Sequence, residues 1–256
     1  MKIRILGAHN VESGSTGCSS FIIDDVLAVD AGALTSGLSF AEQARLQAVL
    51  LTHQHYDHIR DIPALGMNFF IFEKTVTLYG TSTVYEALTA HLLNNILYPN
   101  FIERPPEKPA MRFVTLEAGK TEMIAGYEVL PVPVNHAVPT VGYRITSSDG
   151  KQVFITSDTG PGLAECWKQV SPQLLIIELT MPNKYESSAL QHGHLTPALL
   201  HKELESFREL KNYLPQVVVM HVNPIYEKVI KAEIAPVEKA LGIKIRFARE
   251  GMTISV

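Results

Sequence analysis

Cysteine is scarce: Cys18 and Cys166 are the only two among 256 residues. They lie far apart and fit no zinc-finger or redox spacing. A disulfide-stapled scaffold is thereby excluded, and two free buried thiols are expected. No apolar run approaches the roughly 18 residues needed to span a bilayer, so a membrane helix is excluded too. Met1–Leu6 breaks at Gly7 without a long apolar core or a small-residue cleavage site, so a cytoplasmic protein is expected. No run of three Lys or Arg occurs, and 22 basic against 26 acidic residues leave a formal net charge of −4. A grip on long nucleic acids normally needs a basic stripe, so a polynucleotide partner is disfavoured. Internal repeats, low-complexity tracts and Pro/Gly/Ser-rich linkers are likewise missing.

What is present is a globular chain, 46% apolar and 19% charged, long enough to bury a core. Short apolar runs alternate with helical patterns. Strands are predicted at Ile3–Leu6, Ser20–Ile23, Val26–Val29, Ala48–Leu51 and Thr75–Tyr79. A helix is predicted over Ser82–Leu97 from the spacing of Val84, Leu88, Leu92 and Ile96, followed by a proline loop at Pro105, Pro106 and Pro109. Strands resume at Arg112–Leu116, Tyr127–Val132, Val141–Ile145, Gln152–Thr156 and Leu174–Glu178. Thr196-Pro197 starts a helix to about Leu210, and Val217–His221 reads as a late buried strand. A helix near Tyr226–Leu241 ends at Gly242, and a strand at Lys244–Arg249 closes the chain. The strands fall into two sets, divided near residue 110, each trailed by helices. Mixed sheets with helices on their outer faces follow from that order, within one domain spanning 1–256.

The informative abundance is histidine, with ten copies. It is the commonest metal ligand and the usual acid or base near neutral pH. In Thr52-His53-Gln54-His55-Tyr56-Asp57-His58, directly after a predicted strand, the six residues from His53 on carry three imidazoles and a carboxylate. Extended residues two apart share a face, so His53 and His55 can reach one ion together, while Asp57 and His58 can serve a neighbour. Asn135-His136, Ser157-Asp158-Thr159, Glu178 and His221 also lie at or just beyond the ends of predicted strands. Strand ends are the rigid supports that metal ligands need. Nitrogen with some carboxylate oxygen suits zinc or a similar first-row ion.

The run Thr52–His58 resembles the signature of the metallo-β-lactamase superfamily, as does Leu27-Ala28-Val29-Asp30-Ala31-Gly32. Further segments resemble class II cyclic-nucleotide phosphodiesterases within it: His91–Phe101, Ser157–Pro161, Ile177–Thr180 and Gly193–Pro197. The resemblance implies an α/β fold, the metallo-β-lactamase-like αβ/βα sandwich of two mixed β-sheets flanked by helices. It implies two divalent ions, zinc first with manganese or iron as alternatives. His53, His55 and His136 would hold one ion, Asp57, His58 and His221 the other, and Asp158 would bridge. Asp30 would orient a ligand imidazole from behind. His194, Glu178 and Asp57 are the expected catalytic residues. His194 would be the imidazolium that steadies charge on the phosphate and protonates the leaving oxygen, and Glu178 its partner.

The activity so implied is hydrolysis of 3′,5′-cyclic nucleotides, cAMP or cGMP, to 5′-monophosphates by a metal-activated water. The partners expected are that small molecule and a second copy of the chain, with no membrane. Phe69, Phe70, Tyr98 and Phe101 are candidates to stack on the base, with core burial as the plainer alternative. His9, His91, His192 and His201 have no such context; a core or subunit contact is the default for His91 and a solvated loop for His192. Gly7–Gly17 is only loosely family-like, and Ser157 and Gly162 replace the glycine and acidic residue expected around Asp158. Those departures bear on pocket shape. The rival readings are a tRNA 3′-processing endonuclease, whose extended Gly/Pro-rich arm is missing here, and a non-catalytic metal-binding domain of the same fold. A carbon-ester or lactone hydrolase lacks support from the His194 motif.

Overall fold

The computed structural model describes residues 1–256. It contains strands β1 (Lys2–Gly7), β2 (Ser20–Ile23), β3 (Leu27–Val29), β4 (Ala48–Leu50), β5 (Val76–Gly80), β6 (Met111–Thr115) and β7 (Glu122–Ile124). The remaining strands are β8 (Tyr127–Val134), β9 (Thr140–Thr146), β10 (Gln152–Ile155), β11 (Leu174–Glu178), β12 (Gln216–Met220), β13 (Ile245–Phe247) and β14 (Thr253–Ser255). The chain divides into two compact units. The first comprises residues 1–7, 12–117 and 249–255, and the second 8–11, 118–248 and 256.

The first unit holds a seven-stranded sheet in the order β14-β1-β2-β3-β4-β5-β6. Its β14/β1, β1/β2 and β2/β3 pairs are antiparallel, and β3/β4, β4/β5 and β5/β6 are parallel. Connection length explains the split. β2 and β3 are joined through Asp24 and Asp25, both at positive φ, the conformation of a tight hairpin turn. Between β4 and β5 the chain makes helices at Tyr56–Ile59 and Ile62–Ile71. The core of this unit gathers Leu65, Phe69, Leu78, Leu88 and Phe101, among others. Phe69 and Phe101 are therefore core residues, whereas Phe70 is exposed.

The second unit holds the other seven-stranded sheet, β13-β12-β11-β10-β9-β8-β7. Here β7/β8, β8/β9 and β9/β10 are antiparallel and β10/β11, β11/β12 and β12/β13 parallel. Helices Pro197–Lys211 and Glu227–Leu241 supply the long crossovers. Thr196 caps the first, accepting a hydrogen bond from the Leu199 amide, and left-handed Gly242 ends the second. Trp167 packs edge-on to Phe154 and Phe207, with centroids 6.2 and 5.3 Å apart.

Most predicted elements are present with ends shifted by a residue or two, so β12 stops at Met220 and β13 covers only Ile245–Phe247. The Ser82–Leu97 helix is the main correction. It runs as α-helix over Ser82–Ala87, widens into a π-turn at Leu88–Leu92 and stops. Asn94 Oδ1 then accepts the Ile96 and Leu97 amides, offering the backbone a turn instead of another helical bond. Ile96 is left 91% exposed. His91 is exposed rather than in the core, and His192 lies in the last turn of a helix, Glu186–His192, not in a loop.

Both cysteines are free and buried. Burial, with a smaller push from Glu203, raises the Cys166 thiol to about 12, and burial with the Asp57 charge raises Cys18. A raised thiol pKa means that the folded state holds its proton more tightly than the unfolded chain does. That contribution to stability is complete below the ordinary thiol value near 9.0 and is lost as pH climbs towards 12. Titration with Ellman's reagent at pH 8 is expected to find no fast-reacting thiol in the folded protein and two after denaturation. A fast-reacting thiol in the folded protein would contradict the burial.

Candidate functional site

In the first unit, β4 hands the chain to Leu51-Thr52 and then to the histidine cluster. His55 is extended (φ −64°, ψ 144°) and precedes the short helix Tyr56–Ile59, which carries Asp57 and His58 in a single turn. The local fold thus separates the cluster into an extended pair and a helical pair. The ligand atoms of His53 and His55 lie within 4.8 Å of each other, and so do those of Asp57 and His58. His53 and His58 are fully buried, their ring centroids 4.2 Å apart.

Asp30, at the end of β3, organises this cluster from behind. It sits at φ +56° and is 1% exposed. Its carboxylate accepts the Thr52 amide (2.9 Å), the Thr52 hydroxyl (2.9 Å) and His58 Nδ1 (2.7 Å). A carboxylate can only accept, so the single Thr52 hydroxyl proton goes to Asp30 and the hydroxyl oxygen accepts from His53 Nδ1 (3.1 Å). Both imidazoles therefore hold their proton on Nδ1 and keep the Nε2 lone pair for a metal. Gly32 completes the cradle: a Cβ there would fall 2.2 Å from the Asp57 carbonyl oxygen.

The second unit repeats the device. Glu178, the fully buried last residue of β11, accepts His194 Nδ1 at 2.9 Å and the Leu195 amide at 3.0 Å. Its other oxygen accepts the Thr180 hydroxyl at 2.8 Å. With its proton so committed, Thr180 accepts from His221 Nδ1 at 2.8 Å. One carboxylate and one threonine again fix two imidazoles, and the Nε2 of His221 faces Asp158 at 3.3 Å. His136, just beyond β8, donates Nδ1 to the Gly193 carbonyl (2.8 Å) and turns Nε2 towards Asp158, 3.9 Å away. Burial lowers the His136 pKa despite the opposing Asp158 charge and so favours the neutral ring, the form that binds metal. His194 stacks over His221 with centroids 5.5 Å apart and an interplanar angle of 20°, and the ligand atoms of Glu178, His194 and His221 lie within 4.8 Å of one another.

Within each unit, then, the residues singled out from sequence are brought together. His53, His55, Asp57 and His58 cluster in the first, and His136, Asp158, Glu178, His194 and His221 in the second. Thr52 and Thr180 were missed; a hydroxyl within two residues of each cluster's key group was the available signal. His9 was set aside, yet it is 7% exposed and its backbone pairs with Val222, beside His221. His201 lies 3.6 Å from Glu205 on its own helix, an ordinary surface pair. Imidazole nitrogen with carboxylate oxygen, Nδ1 tied and Nε2 available, fits zinc and related divalent ions.

Residues 25–222 match the family model described as the beta-lactamase superfamily domain. Comparison with curated protein sequences returned no match. Among solved structures, unliganded yeast PDE1 superposes with a TM-score of 0.88 at 18% identity, covering 100% of this chain and 99% of that one. YhfI of Bacillus subtilis, a metallo-beta-lactamase fold protein, gives 0.80 at 18% identity over 99% and 98%. The short form of human tRNase Z gives 0.69 at 18% identity over 100% and 99%. No helix is long and apolar enough to cross a membrane.

Proposed function

The chain belongs to the β-lactamase superfamily, and from that premise we propose that it is a metal-dependent phosphodiesterase acting on 3′,5′-cyclic nucleotides. The observation that carries the reading is the hydrogen-bonded pair His194–Glu178, set beside the ligand-type His221 by Thr180. Metal-ligand clusters suit every hydrolase of the fold, whereas a buried carboxylate–imidazole pair placed next to them suits a reaction with a charged leaving oxygen. The resemblance of this segment to class II cyclic-nucleotide phosphodiesterases and the full-length likeness to yeast PDE1 support the choice.

In this reading His53, His55 and His136 would hold one ion, Asp57, His58 and His221 would hold the second, and Asp158 would serve both. Bound there, two divalent ions, zinc first, supply Lewis-acid stabilisation of a phosphate and a lowered pKa for water. The chain's own groups do the rest. Glu178 fixes the orientation of His194, leaving Nε2 as the ring atom directed at substrate. His194, protonated, steadies the phosphate charge and delivers a proton to the departing O3′. Asp30 and Thr52 in the first unit, and Thr180 in the second, hold ligand imidazoles in the tautomer the site requires. The net charge of −4 is offset formally by two divalent ions, so attraction for a phosphodiester concentrates at the centre. That favours a small anion over a long one.

The test is a substrate panel. Metal-loaded protein is expected to convert cyclic AMP or cyclic GMP to the 5′-monophosphate and to cleave bis-p-nitrophenyl phosphate more slowly. Cleavage of the generic diester without turnover of either cyclic nucleotide would refute the reading, and specific cutting of a precursor tRNA would replace it with the endonuclease.

A further inference from the structure

Lys184, Tyr185 and Tyr226 form a cluster in the second unit to which the chemistry above assigns no part. The two tyrosine rings lie 5.2 Å apart, tilted by 53°, with hydroxyls 3.3 Å from each other. Lys184 Nζ stands over both rings, 4.7 Å from the Tyr185 centroid and 5.4 Å from that of Tyr226. This lysine is exposed and makes no ion pair with a carboxylate. Tyr226 also packs on the core of the unit, while Tyr185 is only half-buried outside it.

The position of the cluster is what gives it meaning. Tyr185 follows β11 by seven residues and Tyr226 follows β12 by six, and these strands are parallel neighbours. Both loops therefore leave the same carboxyl edge of the sheet, where open α/β sheets bind their ligands. That edge also carries Glu178, Thr180 and His221. The two loops are tied by the Asn223 amide bonding the Thr180 carbonyl, and the Met181 amide bonds the Leu195 carbonyl next to His194. These bonds anchor the starts of both loops beside His194 and His221, and Tyr185 lies only four residues beyond Met181.

We propose that Tyr185 and Tyr226, with Lys184 beside them, are the platform that stacks the purine base of the substrate. The proposal deepens the phosphodiesterase reading and rests on it. Aromatic faces stack on any base, and the exposed Lys184 side chain, which now covers the rings, can swing aside to donate to N7, the acceptor that adenine and guanine share. A phosphodiester without a base would gain nothing from these residues.

The experiment compares wild type, Tyr185→Ala and Tyr185→Trp, all metal-loaded. It measures the Kd for 5′-AMP by calorimetry, kinetics on cyclic AMP, and the rate on bis-p-nitrophenyl phosphate. For Tyr185→Ala, Kd and KM are expected to rise roughly tenfold, with kcat and the generic-diester rate unchanged. Tyr185→Trp is expected to restore both. Unchanged 5′-AMP affinity in Tyr185→Ala would overturn the platform, as would an equal loss on the generic diester or a wild type that does not bind 5′-AMP. Tyr185-dependent 5′-AMP binding without turnover of cyclic AMP would keep the platform and refute the phosphodiesterase reading.

Discussion

Asp158→Ala is expected to lose both bound metal and activity while the protein stays folded. Its carboxylate faces His221 at 3.3 Å and His136 at 3.9 Å and is 2% exposed. In the proposed centre it is the group that both ions share. Removing partners that merely orient a ligand typically costs about 10- to 100-fold in affinity or activity, so loss of a shared ligand should exceed about a hundredfold in kcat/KM. Elemental analysis should find less than two ions per chain, and circular dichroism should be unchanged. A variant that keeps two ions and most of its activity would show that the two-ion arrangement is wrong.

His194→Ala is expected to separate chemistry from metal binding. In the proposed function His194, its Nδ1 donated to Glu178 and its side chain 14% exposed, acts on substrate and anchors no ion. General acid catalysis contributes about 10²- to 10⁴-fold, so kcat should drop by that order with metal content intact. The defect should shrink for substrates whose leaving group needs no proton, such as p-nitrophenyl esters. Glu178→Gln should reproduce part of the loss, since an amide can still hold the ring but no longer stabilises its positive form. Loss of an ion from His194→Ala would instead make His194 a ligand, as its closeness to His221 would then imply.

Sequence reading did best where chemistry and rigidity coincide. His53–His58, His136, Asp158, Glu178 and His221 all sit directly at or after strands, and the buried strands read plainly from their apolar runs. The helix from Ser82 was overextended because Val84, Leu88, Leu92 and Ile96 keep helical spacing, while two asparagine side chains quietly take over the backbone bonds beyond Leu92. The helix Ile62–Ile71 is illegible in the sequence for the opposite reason: IPALGMNFFI is apolar nearly all round and offers no period to read. Of the threonine relays, both hydroxyls lie within two residues of a candidate group, but the far partner of Thr180 is not legible. Thr180 meets His221 across 41 residues, and a hydrogen bond of that range leaves no trace in local pattern. The same holds for His9, which reaches the neighbourhood of His221 through backbone pairing with Val222.

The central claim is that this chain opens the cyclic phosphodiester by attack of water on phosphorus with departure of O3′. Phosphorus NMR of cyclic AMP turnover by the metal-loaded protein in ¹⁸O-enriched water tests it most directly. The account predicts 5′-AMP as the product, with one ¹⁸O bonded to phosphorus. No turnover, 3′-AMP as the product, or 5′-AMP without the label on phosphorus would contradict it.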